Sequence, residues 1–568
     1  MKILRVNMTD LTATFEDLPE DWKILGGRGL TARILTKEVP PETDPLGPDA
    51  KLIIATGPLA GTMAPSCGRI SVGAKSPLTN GIKEANSGGP TAQKLDKLGI
   101  RAVIIEGAPK DGKLHLLHLS KNGAVLEDAD EYAGMKNYAL VEKLHEKYNP
   151  KSAVISIGVV GERKLTGAAV DLTDKDGHTS RHAARGGVGA VLGAKGIKAI
   201  VVDESGTSPV ELADKEAFRA TLKDWVRYLP TDPMIKMFSA YGSACSSAML
   251  RSIGSMPVFN YGSEPLDVEK ISGQGIDAIN KERGGKMDAC MPGCIVKCSV
   301  VFHDKDGKYL TASYEYEATA LLGTNLGIND PDVVAHYDRI CDELGIDCIE
   351  CGAAMGVAAA AGKIQMGDPE GVYGLLNEIE QGTEFGNILA NGVVATAKAL
   401  GVDRIPAFKG QAIPAHDPRV GKGTGVTYHT SPMGADHTAG LCYGGDFMSN
   451  EGAVESSLKE QIYSAAKDAL GYCYFATPGD KVKTLEFLKN LLNARYGTDL
   501  EIEDLINLGR QTLRDEVEFN KKSGFHTLNE PDPEFVRTEP VAPLGNVFGV
   551  DPDEMAKIWD QLDTIQVV

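Results

Sequence analysis

No run of apolar residues in this 568-residue chain approaches the length that crosses a bilayer. Its start, Met1-Lys2-Ile3-Leu4-Arg5-Val6-Asn7, reads as a strand and lacks the apolar region and small-residue cleavage site of a secretion signal. A cytoplasmic protein without membrane insertion is expected. Positive charge is scarce: 59 Lys and Arg against 78 Asp and Glu leave a net charge of -19. Nucleic acid and anionic membranes demand a basic face, so both are excluded as partners. Two phosphate-cradling signatures are also missing. No G-x-G-x-x-G follows a strand in a βαβ setting, and no G-x-x-x-x-G-K-[ST] occurs where a strand runs into a helix, which excludes Rossmann and P-loop nucleotide sites. Low-complexity segments, flexible linkers and a clear internal repeat are absent as well. Ten cysteines in so long a chain are too few for a disulfide framework, and in a reducing compartment they read as ligands and core residues.

The composition present, 42% hydrophobic and 24% charged, is that of a globular protein able to bury a large cofactor. Its most informative stretch is Asp288-Ala289-Cys290-Met291-Pro292-Gly293-Cys294-Ile295-Val296-Lys297-Cys298, three thiols within nine residues around turn formers. A structural zinc site would want a fourth close Cys or His, and only the isolated His303 follows. A cubane cluster takes four thiolates, often one from far away. Cys473, in Lys467-Asp468-Ala469-Leu470-Gly471-Tyr472-Cys473, is the candidate, giving Cys290, Cys294, Cys298 and Cys473 for one [4Fe-4S] cluster. Packing alone would explain the thiols as small buried hydrophobes, a poorer account of three at this spacing.

Along the chain, residues 1-203 carry short β-rich runs (51-55, 69-72, 101-105 and 198-202) separated by glycine-rich turns. Three of these turns, Gly26-Gly27-Arg28-Gly29, Asn86-Ser87-Gly88-Gly89 and Arg185-Gly186-Gly187-Val188-Gly189, let backbone N–H groups approach a ligand closely. Together they suggest a ligand larger than a mononucleotide. After residue 203 the pattern turns amphipathic over 214-228, 331-344 and 457-469, and 351-361 is small and apolar on every side, which predicts a buried helix. The expected fold is α+β: a sheet-rich base domain over 1-203, then two mostly helical domains over 204-410 and 411-568. The Pro- and Glu-rich tail from Asn529 to Asn546 is expected to run extended over the surface.

Taken together these motifs resemble the aldehyde:ferredoxin oxidoreductase family of tungsten enzymes. The resemblance spans nearly the whole chain, through Gly26-Gly27-Arg28-Gly29-Leu30, Ala64-Pro65-Ser66-Cys67-Gly68-Arg69, Ala85-Asn86-Ser87-Gly88-Gly89, Glu315-Tyr316-Glu317, Asp342-Glu343-Leu344-Gly345-Ile346-Asp347, Asp417-Pro418-Arg419 and Asp468-Ala469-Leu470-Gly471-Tyr472-Cys473. It implies tungsten, or molybdenum, held by two molybdopterin-type pterins on the sheet-rich base. By the same resemblance Arg69 and Arg181 are pterin-phosphate ligands, and Asn86 with the backbone of His182 completes a Mg2+ site between the phosphates. Gly88 and Arg185 belong to the cofactor-binding turns. Asp342, Asp347 and Asp468 face the pterins, as acceptors for ring N–H groups. Glu317 and His437 match positions close to the metal and are the expected acid–base groups. Glu315 and Tyr316 have weaker claims, and His416 and His429 are read as structural.

Two features depart from the family's best-known pattern. The thiol spacing Cys290-x3-Cys294-x3-Cys298 is one residue longer in its first gap than Cys-x2-Cys-x3-Cys. Where that pattern has Glu-x-x-His for an iron between subunits, this chain has His336-Tyr337-Asp338-Arg339. Oxidation of an aldehyde is the implied reaction, with a ferredoxin or small iron-sulfur subunit as acceptor and a homodimer or hetero-oligomer as the assembly. A tungsten-dependent aryl-CoA reductase of benzoyl-CoA type is the alternative within the fold. A noncatalytic iron-sulfur electron-transfer subunit is the alternative of another class, and such a relay would have no use for three phosphate-binding turns.

Overall fold

The computed structural model describes residues 1–524, 528 and 531–568. Twelve strands fill the first part of the chain: β1 Lys2–Asn7, β2 Thr12–Asp17, β3 Leu52–Thr56, β4 Ile70–Lys75, β5 Ile82–Ser87, β6 Ile100–Glu106, β7 His115–Ser120, β8 Gly123–Asp128, β9 Ala153–Ser156, β10 Val170–Leu172, β11 Arg181–Ala183 and β12 Ile197–Asp203. They make two six-stranded sheets, ordered β2-β1-β6-β3-β4-β5 and β8-β7-β12-β9-β10-β11. Each has one parallel pair, β1 with β6 and β7 with β12, and is otherwise antiparallel. The second sheet is the first built again. Helices obey the same rule: Gly27–Glu38 and Asn137–Lys147 precede β3 and β9, while Thr91–Lys97 and Val188–Ala194 precede β6 and β12. The expectation of no internal repeat is thus corrected at the level of topology. Hydrophobic alternation, not residue identity, maintains a sheet, so side chains have diverged while the strand order has not.

Alternation explains the packing. Leu4, Val6, Ile54 and Val72 from one sheet meet Leu117, Leu119, Ile155 and Val170 from the other in a single core. On the outer faces Ile3, Ile53 and Ile104 pack under helix Gly27–Glu38, and Leu116, Val154 and Val201 under helix Asn137–Lys147. Beyond β12 the chain is mainly helical, as expected for the α+β class. Asp214 caps helix Lys215–Tyr228 by accepting from the N–H groups of Glu216 and Ala217. Asp330 caps helix Pro331–Leu344, and Gly345 ends it in the left-handed region. Helix Cys348–Ala360 is buried nearly all round. In the C-terminal tail Asn529 and Glu530 lie outside the described residues, and the rest is not wholly extended but turns through helix Glu534–Thr538. Among the described residues no helix is long and apolar enough to cross a membrane.

The helical part docks on the duplicated sheets at two equivalent points. Gly57 follows β3 and Gly158 follows β9. A Cβ on Gly57 would stand 2.2 Å from the carbonyl oxygen of Leu470, and one on Gly158 would stand 2.1 Å from that of Leu344. The Arg69 N–H donates to the Gly471 carbonyl at 3.1 Å, and the Ala169 N–H to the Gly345 carbonyl at 2.9 Å. Each Asp-x-Leu-Gly segment therefore sits backbone to backbone on a glycine, where no side chain would fit.

Candidate functional site

The aspartates of these two segments face the sheet domain. Asp342 stands 2.8 Å from His182 Nε2 and accepts from Ser313 Oγ at 3.0 Å and the Tyr138 hydroxyl at 3.4 Å. His182 Nδ1 lies 2.7 Å from Asp171. Burial acts to lower the His182 pKa, but Asp342 and Asp171 outweigh it and raise it to about 10, so the ring is an imidazolium at neutral pH. Asp468 receives Arg28 Nη1 at 3.4 Å, while the same guanidinium grips Glu516 with two bonds of 2.8 Å. Buried Glu84 lies beside Asp468, and burial together with that charge pushes its pKa up to about 8.

The sheet domain supplies further cations. Arg69 holds the side chain and, at 2.9 Å, the carbonyl oxygen of Asn86. Asn86 pairs across its sheet with Ser71 as His182 does with Asp171, so the two occupy equivalent positions in the duplicated frame. Arg181 donates to Glu315 at 2.9 Å and to Ser299 Oγ at 3.2 Å, which places Glu315 on this arginine and not beside Glu317. Arg185 donates to the Ala412 carbonyl at 2.8 Å and stands 3.1 Å from Asp347 Oδ2. Asp347 also caps helix Cys348–Ala360. Asn86 Nδ2, Arg181 Nε and Arg185 Nη1 are buried donors without a hydrogen bond. Such groups are rare unless a ligand takes them up, and donors from amide and guanidinium suit an anionic, phosphate-bearing one.

The four cysteines converge beside these arginines. Strand β13, Lys286–Asp288, leads into the thiol loop. The Cys290 sulfur lies 2.9 Å from where a Cβ on Gly88 would be, so this glycine makes room for the thiol. Ser66 ties the near and distant thiols together: its Oγ is 3.9 Å from Cys294 Sγ, and its carbonyl accepts from the Cys473 N–H at 2.9 Å. Burial pushes all four thiol pKa values up, Cys290 to about 11; Arg181 and Arg69 oppose this at Cys290, and Arg69 does so at Cys473. Buried thiols clustered against cations fit a group that takes them as thiolates.

A third constellation joins the helix Tyr316–Leu321 to the segments around His416 and His437. Glu317 Oε2 accepts from the Ala415 N–H at 2.8 Å, and its Oε1 faces His437 Nε2 at 3.5 Å and His416 Nε2 at 3.6 Å. Tyr316 fixes the acceptor loop by donating to the Ala415 carbonyl at 2.6 Å. Burial raises the Glu317 pKa, with His437 drawing it back. Burial, then His437, holds His416 well below the ordinary range, so His416 is neutral. Its Nδ1 is 2.9 Å from the Tyr443 hydroxyl, which lies 2.7 Å from Ser255 Oγ. His437 Nδ1 has no partner. Its neighbour Asp436 receives Lys83 at 2.6 Å; burial acts to raise the Asp436 pKa, but Lys83 and Arg185 keep it well below the carboxylate range.

Sequence reasoning named Glu317 and His437 but set His416 aside as structural; the structure puts it against the same carboxylate oxygen. The available signal was the motif His416-Asp417-Pro418-Arg419, whose rigid turn fixes the histidine. His429, by contrast, is paired with Asp532 at 2.6 Å and away from this group.

Comparison with known proteins assigns the chain to a family. Residues 3–204 match the family described as aldehyde ferredoxin oxidoreductase, N-terminal domain, and residues 220–561 match aldehyde ferredoxin oxidoreductase, domains 2 & 3. The chain is 33% identical to a tungsten-containing aldehyde ferredoxin oxidoreductase of Pyrococcus abyssi, over 93% of this chain and 90% of that one. The counterpart from Pyrococcus furiosus is 32% identical over 94% and 92%. An aliphatic sulfonate oxidoreductase, WOR-like subunit, of Pyrococcus furiosus is 29% identical over 89% and 83%. In fold, the chain is similar to the active site complex BamBC of benzoyl coenzyme A reductase, with a TM-score of 0.82 and 19% identity over 99% of this chain and 93% of that one. On the two family matches and the near full-length relatives, the chain is an oxidoreductase belonging to the aldehyde ferredoxin oxidoreductase family.

Proposed function

We propose that this protein oxidises aldehydes to carboxylic acids at a tungsten centre held by two pterins and passes the electrons to a ferredoxin or a small iron-sulfur subunit. The observation that carries the reading is the Glu317 carboxylate oxygen faced by two neighbouring imidazoles, 3.5 and 3.6 Å away with ring centroids 5.2 Å apart, inside a fold with unpaired buried donors. Arg69 and Arg181 would hold the pterin phosphates, with Mg2+ between them near Asn86 and the His182 backbone. Arg185, Asp342, Asp347 and Asp468 would face the pterins. Cys290, Cys294, Cys298 and Cys473 would hold one [4Fe-4S] cluster.

The metal, when bound, supplies the two-electron oxidation: an aldehyde and water yield a carboxylic acid, two protons and two electrons. Glu317 does the work of a base. Its raised pKa keeps it a competent acceptor for a proton of the attacking water while its Oε2 is held by Ala415. His437 Nε2, which faces the same Oε1 beside His416, would hold or deliver a proton at the substrate oxygen. His416 is a positioning residue for Glu317 and, being neutral, can take a proton at Nε2 while giving one from Nδ1 to Tyr443. Tyr443 is partly exposed, as Glu317 and His437 are, with the buried His416 between them. Metal analysis of anaerobically purified protein, with viologen reduction over a panel of aldehydes, tests the proposal. Aldehyde-dependent dye reduction proportional to bound tungsten is expected; reduction of an aryl-CoA ring without any aldehyde oxidation would overturn it.

A further inference from the structure

We infer that Glu317, His416 and His437 form a binding site for one divalent transition ion of the zinc class, and that the ion, once bound, blocks the proton acceptor of the reaction proposed above. Binding stands apart from that reaction; the block rests on it. One ligand atom from each residue lies within 4.8 Å of the other two, and among the described residues no other trio of His, Cys, Asp or Glu is gathered so closely. Two imidazoles and a carboxylate suit zinc and its transition-metal neighbours, whereas Mg2+ and Ca2+ prefer oxygen ligands. With bonds of about 2.0–2.1 Å, the ligands of a tetrahedral ion stand about 3.4 Å apart. Glu317 Oε1 stands 3.5 Å from His437 Nε2 and 3.6 Å from His416 Nε2, so little movement of the carboxylate would admit the ion.

The groups behind the ligands are those a metal site needs. A metal-bound imidazole usually has its other nitrogen held, which fixes the ring and its tautomer. His416 Nδ1 has the Tyr443 hydroxyl at 2.9 Å, and that hydroxyl meets Ser255 Oγ at 2.7 Å. His416 can thus give its Nδ1 proton to Tyr443 and keep Nε2 as a lone-pair donor. Glu317 is held by its other oxygen, on the Ala415 N–H at 2.8 Å, which leaves Oε1 buried and without a hydrogen bond. A buried carboxylate oxygen that faces two imidazole nitrogens and accepts from neither is an acceptor in want of a cation.

Charge and access agree with an ion. Each fixed cation in the neighbourhood has a carboxylate of its own: Arg185 stands 3.1 Å from Asp347, Lys83 2.6 Å from Asp436 and Arg419 2.6 Å from Asp417. The Glu317 carboxylate therefore remains for the ion. The Glu317 and His437 side chains keep 17% and 18% of their surface exposed, which leaves a way in, and three protein ligands leave a fourth position for water. An ion seated there would take the Oε1 lone pair that otherwise accepts the proton, and would hold both imidazoles by the nitrogens that face it.

The test adds Zn2+ or Co2+ to the anaerobically purified holoenzyme. Equilibrium dialysis should find one added Zn2+ per chain at micromolar free ion, and X-ray absorption at the zinc edge should show two imidazoles with oxygen and no sulfur. Co2+ in its place should give visible d–d bands without a near-ultraviolet thiolate band, which separates this site from the cysteines. Glu317→Gln and His437→Asn, close in shape to the originals, should each weaken binding about 100-fold or more, and Tyr443→Phe about tenfold. Zn2+ should stop aldehyde-linked viologen reduction in step with occupancy, and a chelator should restore it. Sulfur ligation, no binding below millimolar Zn2+, or unchanged affinity in both Glu317→Gln and His437→Asn would overturn the site; full turnover at full occupancy would overturn the block. Absence of aldehyde oxidation in zinc-free holoenzyme would instead refute the reaction proposed above, with the dialysis and spectra still deciding the site.

Discussion

Replacing Glu317 with Gln isolates the proton acceptor, because the structure shows what the substitution keeps. One amide oxygen can still accept from the Ala415 N–H at 2.8 Å, so the side chain stays in place. What changes is the atom facing His437 and His416, which becomes a neutral NH2 group instead of a carboxylate oxygen. A general base contributes roughly 100-fold to 10,000-fold, so turnover should fall by that factor, a barrier increase of about 2.7–5.4 kcal/mol. Viologen reduction per bound tungsten is the quantity to measure, since it separates lost chemistry from lost metal. The pH profile gives a second reading. A base works ionised, and burial raises the Glu317 pKa, so the unaltered enzyme should gain turnover as pH rises through a value above the ordinary carboxylate range. The Gln variant should lack that rise. Near-full turnover in Glu317→Gln, with Glu315→Gln inactive, would refute the reasoning, since Glu315 is bound to Arg181 and away from the imidazoles.

Three further outcomes are expected. Gly57→Ala and Gly158→Ala, which force a methyl to within 2.2 and 2.1 Å of a carbonyl oxygen, should each destabilise the apoprotein by about 1–3 kcal/mol or more in urea titration. Cys473→Ala should abolish the EPR signal of a reduced [4Fe-4S] cluster; a full-strength signal with no substitute ligand would show that the distant thiol is elsewhere. Tyr443→Phe should lower turnover severalfold and change its solvent isotope effect with metal content intact, whereas a purely structural hydroxyl would leave the isotope effect unmoved.

The fold class was legible because period-two and helical patterns are local, and they placed β3, β6 and β12 to within a residue at each end and β4 to within three. The duplication was not legible. Nothing in the residues of β1 and β7 announces that they are equivalent; only pairing, a long-range property, reveals it. The glycine turns were read as seats for a ligand, yet several serve the approach of protein: a Cβ on Gly27 would stand 2.0 Å from the Asp468 carbonyl oxygen. Glycine signals close approach without saying what approaches. His416 was missed for a similar reason, since its partner Glu317 is nearly a hundred residues away and no spacing rule links them.

The duplicated frame also has a direction. Two residues beyond each docking glycine the halves diverge: the segment after Gly471 reaches Cys473, while the one after Gly345 reaches Asp347, which faces Arg185 and adds its charge to the surroundings of Glu317. Equivalent positions thus carry a thiol on one side and a carboxylate on the other. A group seated across the two halves would meet thiols on one flank and a carboxylate on the other, so a duplicated frame need not present a symmetric surface to what it holds.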